Sequence, residues 1–368
     1  MPSKSPLSGL KVVEVSAQGP GPFAGSLLAD FGADVVIIDR PPSSSTSSAV
    51  PRSHDTYNRN KRSIALDLKS YEGLQTACAL IKTADVFIEG FRPGVAERLG
   101  IGPDDCLKQN PRPVYGRMTG WGQHGPMANE AGHDINYLAL TGALGAIGAP
   151  DTPPPPLNLV ADLGGGGMYL AFGILAAVLE SRQSGNGQII DCAMIDGVAH
   201  LMSMFQSFRQ LGTWSLHRQD NLVDGGAPFY GTYETRDGRY VAVGAIEPQF
   251  WQALLCVLAL DPADMPDQME REKWPLMRAR IAESFRQYDR DTWIARAIGT
   301  DACISPVLSI DEAWRHPQMR SRNVFVEFGG LVHPAPAPRL SRTPGGLFRP
   351  APEPDQHRQE ILNDWHVE

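Results

Sequence analysis

A histidine and an aspartate are the residues of this chain whose types and surroundings best suit proton transfer. His133 stands in the run Gly-His-Asp-Ile-Asn-Tyr at 132–137, and Asp162 is followed by Leu163 and four consecutive glycines. A proline-rich loop at 153–156 separates the two segments. An imidazole and a carboxylate that converge on one carbon can remove a proton from one face and return it to the other.

Each of these residues also has a plain structural explanation. The chain contains nine histidines, and a lone histidine is more often a surface or core residue than a catalyst. Asp162 precedes an apolar run and fits a helix N-cap, a role worth about 1 kcal/mol. At a helix start, free backbone N–H groups could also stabilise an oxyanion. The glycines, poor helix formers, would then allow a substrate to approach those donors closely.

Other polar residues give weaker signals. Glu247 is typical of an acid at a helix start, with Phe250 and Trp251 as core residues beside it. The apolar run 202–208 favours core over a ligand surface. Three further aspartates fit structural hydrogen-bond acceptors: Asp134, Asp191 and Asp196. The chain contains no Ser-His-Asp triad pattern, P-loop or zinc-ligand spacing.

The first part of the chain alternates strand and helix. Residues 10–16 and 34–39 are predicted strands, with a Gly/Pro loop and a helix at 23–31 between them. Further strands are predicted at 64–68, 85–89, 114–119 and 188–193, and helices at 71–82, 133–144 and about 163–182. This alternation predicts an α/β fold with a parallel sheet. The loop after the first strand lacks G-x-G-x-x-G, so a dinucleotide fingerprint is absent.

Basic residues recur near the ends of the predicted strands: Arg40, Lys69, Arg92 and Arg98. Ligands of open α/β sheets bind outside the carboxyl ends of the strands. The set could therefore hold a ligand with several phosphates, although charged residues are also common in loops.

The domain prediction places a large domain at 1–225, a small α+β domain at 226–328 and a returning segment at 329–368. The small domain contains a hairpin with Asp-Gly at its tip and several helices. Residues 43–48 form a Ser/Thr-rich loop that is expected to be mobile.

Composition indicates an ordinary soluble enzyme. The chain has 368 residues and a net charge of −8, which argues against a broad nucleic-acid surface. Five cysteines without metal-ligand spacing fit a reducing compartment. No signal peptide is evident, and the apolar helix candidate at 168–179 is too short to span a bilayer, which takes about 20 residues. A cytoplasmic protein that binds neither membrane nor nucleic acid is therefore expected.

Six segments in this order resemble the family III CoA-transferases, the CaiB/BaiF superfamily, and within them the α-methylacyl-CoA racemases. Three suit the whole family: Phe-Ala-Gly-Ser-Leu-Leu-Ala-Asp-Phe-Gly-Ala-Asp at 23–34, Asn-Arg-Asn-Lys-Arg-Ser at 58–63 and Phe-Arg-Pro-Gly at 91–94. Three resemble the racemases in particular: 132–137, 162–167, and 226–230 together with 245–250.

The resemblance implies a Rossmann-like large domain, a smaller α+β domain and an interlocked homodimer. It implies that His133 and Asp162 are the acid/base pair, and that Glu247, supplied by the second copy, orients His133. The residues that it implies for binding CoA are Arg40, Leu66, Lys69, Phe91, Arg98 and Tyr137.

The implied reaction inverts the α-carbon of a 2-methylacyl-CoA through an enolate, as part of fatty acid and lipid metabolism. No metal or redox cofactor is expected, and coenzyme A enters as part of the substrate. Reversible transfer requires the pKa of Asp162 to be raised or that of His133 lowered. The enolate oxygen is expected to accept hydrogen bonds from backbone N–H groups around Asp162 and Leu163.

Two other functions stay open. The transferases resembled here use the aspartate at position 162 as a nucleophile and lack the histidine at 133, so a CoA-transferase is the alternative. A CoA-thioester binding protein without catalysis is the third. The sequence leaves the acyl group open among branched fatty acyl, sterol side-chain and aryl-propionyl groups.

Overall fold

The computed structural model of the chain describes residues 5–15, 17–41 and 50–367. The predicted Ser/Thr-rich loop at 43–48 lies outside these residues. The chain divides into two compact units. The first comprises Met1–Thr141, Pro156–Met202 and Gln318–Glu368, and the second comprises Gly142–Pro155 and Ser203–Pro317.

The strands of the described residues are β1 (Lys11–Val15), β2 (Asp34–Asp39), β3 (Arg62–Ala65), β4 (Val86–Glu89), β5 (Val114–Thr119), β6 (Ile189–Ala193), β7 (Tyr230–Glu234), β8 (Tyr240–Gly244), β9 (Ile304–Pro306), β10 (Phe325–Phe328) and β11 (Leu331–Pro334). The α-helices there are α1 (Pro20–Asp30), α2 (Tyr71–Thr83), α3 (Val95–Arg98), α4 (Pro103–Gln109), α5 (Asp134–Leu140), α6 (Ala143–Ala146), α7 (Tyr169–Ser184), α8 (Met194–Leu201), α9 (Ser203–Gln210), α10 (Pro248–Leu258), α11 (Trp274–Phe285), α12 (Arg290–Ala297), α13 (Ile310–Ala313), α14 (Pro317–Ser321) and α15 (Arg358–Trp365). A π-helix covers Val160–Met168, and single 3₁₀ turns cover Arg52–His54, Leu157–Leu159, Pro262–Asp264 and Arg271–Lys273.

The first unit is built on a parallel sheet with strand order β3-β2-β1-β4-β5-β6. Every neighbouring pair in it is parallel. Strands β1, β2 and β4 are rich in buried Val, Ile and Phe, as expected for a sheet covered on both faces. The predicted α/β fold with a parallel sheet is confirmed, and the carboxyl ends of all six strands lie at one edge.

The helix that carries Asp162 starts earlier than predicted. The 3₁₀ turn at 157–159, the π-helix and α7 form one continuous helical stretch, Leu157–Ser184. Asp162 is the third residue of the π-helix, so the N-cap interpretation was wrong. The expected length was wrong too, because the stretch has 28 residues and is long and apolar enough to cross a membrane by length and composition. Its inner face packs on α1, α8 and the sheet, as in a core helix.

Three of the four glycines, those at 165–167, are buried and permit close helix packing rather than substrate access. A Cβ on Gly166 would lie 2.9 Å from Met194 Cγ in α8 and 3.0 Å from Pro20 Cβ in α1. A Cβ on Gly167 would lie 2.9 Å from the Pro20 carbonyl oxygen. The predicted need for close approach is real, but the atoms that approach belong to neighbouring helices.

The basic run 58–63 and the C-terminal helix consolidate this unit. Lys61 is fully buried and donates to both carboxylate oxygens of Glu14, each at 2.9 Å, and to the carbonyl of Pro22. Helix α15 packs Ile361 and Trp365 into the core formed by the sheet and α2. The positive charges at 59, 61 and 62 are thus engaged in ion pairs with carboxylates.

The second unit contains the antiparallel sheet β7-β8-β9, with the predicted hairpin between β7 and β8. Its core includes Phe229, Trp251 and Trp274. The unit begins before the predicted boundary at 226 because Arg218 donates to the carbonyls of Ala149 and Pro150, which ties the segment 142–155 to it. Helix α9 has no buried residue, so the interpretation of 202–208 as core was wrong.

Candidate active site

Asp162 occupies a half-buried position at the start of the long helix, close to the loop after β1. Its Oδ2 accepts a hydrogen bond from Asn158 Nδ2 at 2.7 Å. A Cβ built on Gly19 would lie 3.4 Å from the same oxygen, so the loop before α1 runs directly past the carboxylate. Burial raises the pKa of Asp162, and the nearby Asp134 raises it further, whereas Asn158 and His133 lower it. The net direction agrees with the expectation of a raised Asp162 pKa.

His133 lies directly before α5 and has an exposed side chain. Its backbone N–H donates to Asn136 Oδ1 at 3.0 Å, which fixes the backbone at the helix start. The imidazole is close enough to Asp162 to act on the pKa of that carboxyl group. The fold therefore brings together two residues that are 29 positions apart in the sequence.

One buried carboxylate joins the two segments. Asp134, the first residue of α5, accepts hydrogen bonds at Oδ2 from the backbone N–H of Ala161 at 2.9 Å and of Asp162 at 2.8 Å. Because a helix start leaves its first N–H groups without intrahelical partners, this side chain caps the long helix from a distance. The interpretation of Asp134 as a structural acceptor is confirmed. The Asp162 N–H is thereby engaged, so its predicted use as an enolate donor was wrong.

Replacing Asp134 by alanine is expected to reduce turnover at least about ten-fold, because two backbone donors lose a charged acceptor worth about 1.5–3 kcal/mol each. Asp134→Asn, whose amide oxygen can take the same place, should recover most of that loss. Turnover of both variants and their urea midpoints are the measurements. Equal turnover in Asp134→Ala and the unaltered chain would contradict a linking role.

Aromatic packing fixes the segment before His133. The Tyr137 hydroxyl donates to the carbonyl of Gly132 at 2.6 Å, and its ring meets Trp121 edge-on with centroids 4.7 Å apart. A Cβ on Gly120 would collide with the Tyr137 ring. Tyr137, predicted as a CoA contact, is buried and thus acts on the position of its neighbour His133.

The remaining predicted CoA contacts follow consecutive strands at the carboxyl edge of the sheet. Arg40 follows β2, Leu66 and Lys69 follow β3, and Phe91 follows β4, with Arg98 at the end of α3. Arg40, Lys69 and Arg98 are exposed, whereas Leu66 is buried. Strands β2 and β3 are neighbours in the sheet and β1 separates β2 from β4, but all three end at the same edge, as the strand-end hypothesis requires.

Glu247 lies in the second unit, as the residue directly before α10. The helix-start prediction for it is confirmed.

Across residues 5–15, 17–41 and 50–367, no three His, Cys, Asp or Glu side chains cluster as metal ligands would.

Sequence reasoning missed two neighbours of the carboxylate. Asn158 stands four residues before Asp162, a helical spacing that could have indicated the contact, but the helix was expected to begin later. Tyr57 is 36% exposed, and its ring centroid lies 5.7 Å from that of Phe23. Partial burial raises the pKa of Tyr57, and the charge of Asp162 raises it further. No local pattern marked Tyr57.

Comparison with known proteins gives a consistent result. Residues 7–358 match the family described as CoA-transferase family III. The mouse protein named alpha-methylacyl-CoA racemase is 44% identical over 362 residues, covering 98% of this chain and 93% of the mouse protein. A succinyl-CoA–D-citramalate CoA-transferase from Chloroflexus aurantiacus is 29% identical over 377 residues, covering 98% and 94%.

The fold agrees with these matches. The crystal structure of a CAIB/BAIF family protein from Brucella suis superposes with a TM-score of 0.86 at 25% identity, covering 99% of this chain and 100% of that one. The family match spans nearly the whole sequence, and the parallel α/β sheet is the same. This chain belongs to CoA-transferase family III.

Proposed function

We propose that this chain is a racemase of 2-methylacyl-CoA thioesters. The observation that carries the proposal is the placement of His133 beside a half-buried Asp162 whose pKa is raised. The similarity to the mouse racemase supports the same reaction. A thioester makes the α-proton acidic enough for side-chain bases, and two acid/base groups on opposite faces then suffice for inversion.

In the proposed mechanism one group removes the α-proton and the other protonates the planar enolate from the opposite face. For one enantiomer His133 is the base and protonated Asp162 the acid, and for the other enantiomer the roles are exchanged. Free Asp and His differ in pKa by about 2.6, which would favour one direction strongly. Burial of Asp162 narrows this gap and so suits a reaction that must run both ways.

The enolate oxygen needs donors other than the Asp162 N–H. The Leu163 N–H, the second donor expected near Asp162, therefore remains the proposed partner of the enolate oxygen.

The CoA part would lie along the carboxyl edge of the parallel sheet. Arg40, Lys69 and Arg98 supply positive charge for its phosphates, and Leu66 and Phe91 supply apolar contact. Tyr137 contributes through the carbonyl of Gly132. The acyl group is a 2-methyl-branched chain of undefined size.

Glu247 would orient the imidazole of His133 from a second copy of the chain, in an interlocked homodimer. An exposed apolar face on α7 supports self-association: Phe172 is 73% exposed and Leu179 is 61% exposed, with Met168 on the same side. Such a face is typical of an interface.

We expect a dimer in sedimentation velocity, and Phe172→Glu should shift it towards monomer with loss of turnover. A fully active monomer would contradict the dimer proposal.

Exchange in heavy water tests the function. Deuterium should enter at C2 of a 2-methylacyl-CoA together with inversion, and the double variant His133→Ala/Asp162→Asn should do neither. The family also contains CoA-transferases. If this chain were one of them, Asp162 would act as a nucleophile. An acyl-enzyme trapped by hydroxylamine, with CoA passing to a free acid and without exchange at C2, would favour that function instead.

A further inference from the structure

A buried arginine connects the end of β4 to the start of α3. Arg117, on β5, is 7% exposed. Its Nε donates to Glu89 Oε1 at 2.9 Å, and its Nη1 lies 2.9 Å from Glu97 Oε1 in α3. Glu89 is the last residue of β4 and its side chain is fully buried. One guanidinium therefore joins the two elements that border the turn 90–94.

The same network holds the backbone of that turn. The other oxygen of Glu89 accepts the backbone N–H of Phe91 at 2.6 Å. The turn ends at Gly94, whose φ of 79° is left-handed and leads into α3. A Cβ on Gly94 would lie 3.2 Å from Arg98 Nη1, so the turn and the Arg98 guanidinium are in contact. Phe91 is thus hydrogen-bonded to Glu89 of the Glu89–Arg117–Glu97 network, and Arg98 directly follows Glu97 in α3.

Stability alone does not explain the buried Glu89–Arg117–Glu97 network. Burial raises the pKa of Glu89, although Arg117 and the Phe91 N–H lower it. Arg117 Nη2 is buried and has no hydrogen-bond partner among the described residues. A buried ion pair often contributes no more stability than apolar side chains of similar volume, and an unpaired buried donor adds a cost. Apolar side chains would not supply the directed contacts that the Arg117 guanidinium makes with Glu89 and Glu97.

We infer that the Glu89–Arg117–Glu97 network is a positioning device that sets the affinity for the CoA part of the substrate. It acts through the turn 90–94 and α3, which carry Phe91 and Arg98. Burial raises the pKa of Tyr137, and the charge of Arg92, in the same turn, opposes that rise, which places this turn beside the segment that leads to His133. The inference rests on the proposed function, because it assumes that CoA binds at this edge of the sheet.

The experiment measures the Kd for coenzyme A by calorimetry, and KM and kcat by deuterium exchange, on the full chain. Glu97→Gln removes one contact and should raise Kd and KM about three-fold. The pair Glu89→Gln/Arg117→Met removes both charges together and should raise them about ten-fold or more. In both variants kcat at saturating substrate should stay within about two-fold of the unaltered chain, because the acid/base pair is untouched.

A matched control separates positioning from stability. Arg62 Nη1 lies 2.8 Å from Asp364 Oδ2, and this pair also joins a buried arginine to an exposed carboxylate. Arg62 begins β3, at the amino edge of the sheet, so Asp364→Asn should alter the melting temperature as Glu97→Gln does but leave Kd for CoA unchanged. Unchanged Kd in both network variants would overturn the inference alone. Failure of the unaltered chain to bind CoA would overturn the proposed function and the inference with it.

Discussion

Replacing His133 by alanine or Asp162 by asparagine is expected to abolish inversion while each variant still exchanges the α-proton of one enantiomer. Inversion needs a base on one face and an acid on the other, so loss of either group stops it. The remaining group can still remove a proton and return a solvent-derived one to the same face. Loss of one acid/base group costs about 10²–10⁴-fold in rate, and inversion should fall by at least this factor.

The two single variants should select opposite enantiomers. Deuterium content and configuration at C2 are followed separately for each pure enantiomer of one 2-methylacyl-CoA. The double variant should exchange neither. If both single variants exchange the same enantiomer, or the double variant retains exchange, the assignment of His133 and Asp162 to opposite faces is wrong.

Loss of activity in Asp162→Asn should not come from unfolding. The pKa of Asp162 is raised in the folded state above its value of 3.8 in the unfolded chain, chiefly by burial. Between these two pKa values the folded state holds more protons, so its stability falls as pH rises. Above the folded pKa the charged carboxylate destabilises the fold, and asparagine removes that charge. The variant should therefore melt higher than the unaltered chain at pH 7, with the difference disappearing below pH 3.8. A lower melting temperature at pH 7 would contradict this.

Replacing Gly197 by alanine is expected to destabilise the first unit strongly. A Cβ there would lie 1.9 Å from the carbonyl oxygen of Gly165 and 2.6 Å from its carbonyl carbon. Both atoms are backbone of the π-helix, three residues after Asp162, so no side-chain rotation relieves the overlap. Overpacking a close contact costs about 1–3 kcal/mol, and we expect about 3 kcal/mol here. The urea midpoint and the yield of soluble chain measure this effect.

Gly173→Ala, in the long helix that Gly197 of α8 contacts, is the matched control. Its Cβ would lie 3.5 Å from Ile190 Cγ2, an ordinary van der Waals contact. Alanine is the better helix former by up to about 1 kcal/mol, so this variant should be as stable as the unaltered chain or more so. Equal midpoints for Gly197→Ala and Gly173→Ala would contradict the packing explanation.

Local patterns in the sequence predicted much of the first unit. The strands at 34–39 and 114–119 have their predicted bounds, and β1, β4 and β6 lie within theirs. All of these segments except 114–119 are rich in Val and Ile, so consecutive residues were enough to predict a buried strand. Helix α10 is one of the several helices predicted for the small domain. By contrast, β11 and α15 fall in the returning segment at 329–368, for which no strand or helix was predicted.

The sequence by itself determined the residue types at the site, the family and the order of strands and helices, because these depend on side-chain chemistry and local periodicity. Only the tertiary structure decided how the site is held. The Asp134 carboxylate caps the π-helix, which starts 26 residues later in the chain. Glycines that suggested substrate access lie against α1 and α8 instead. Contacts of this kind depend on which surfaces meet in three dimensions, and no local pattern reports which carboxylate reaches which N–H group.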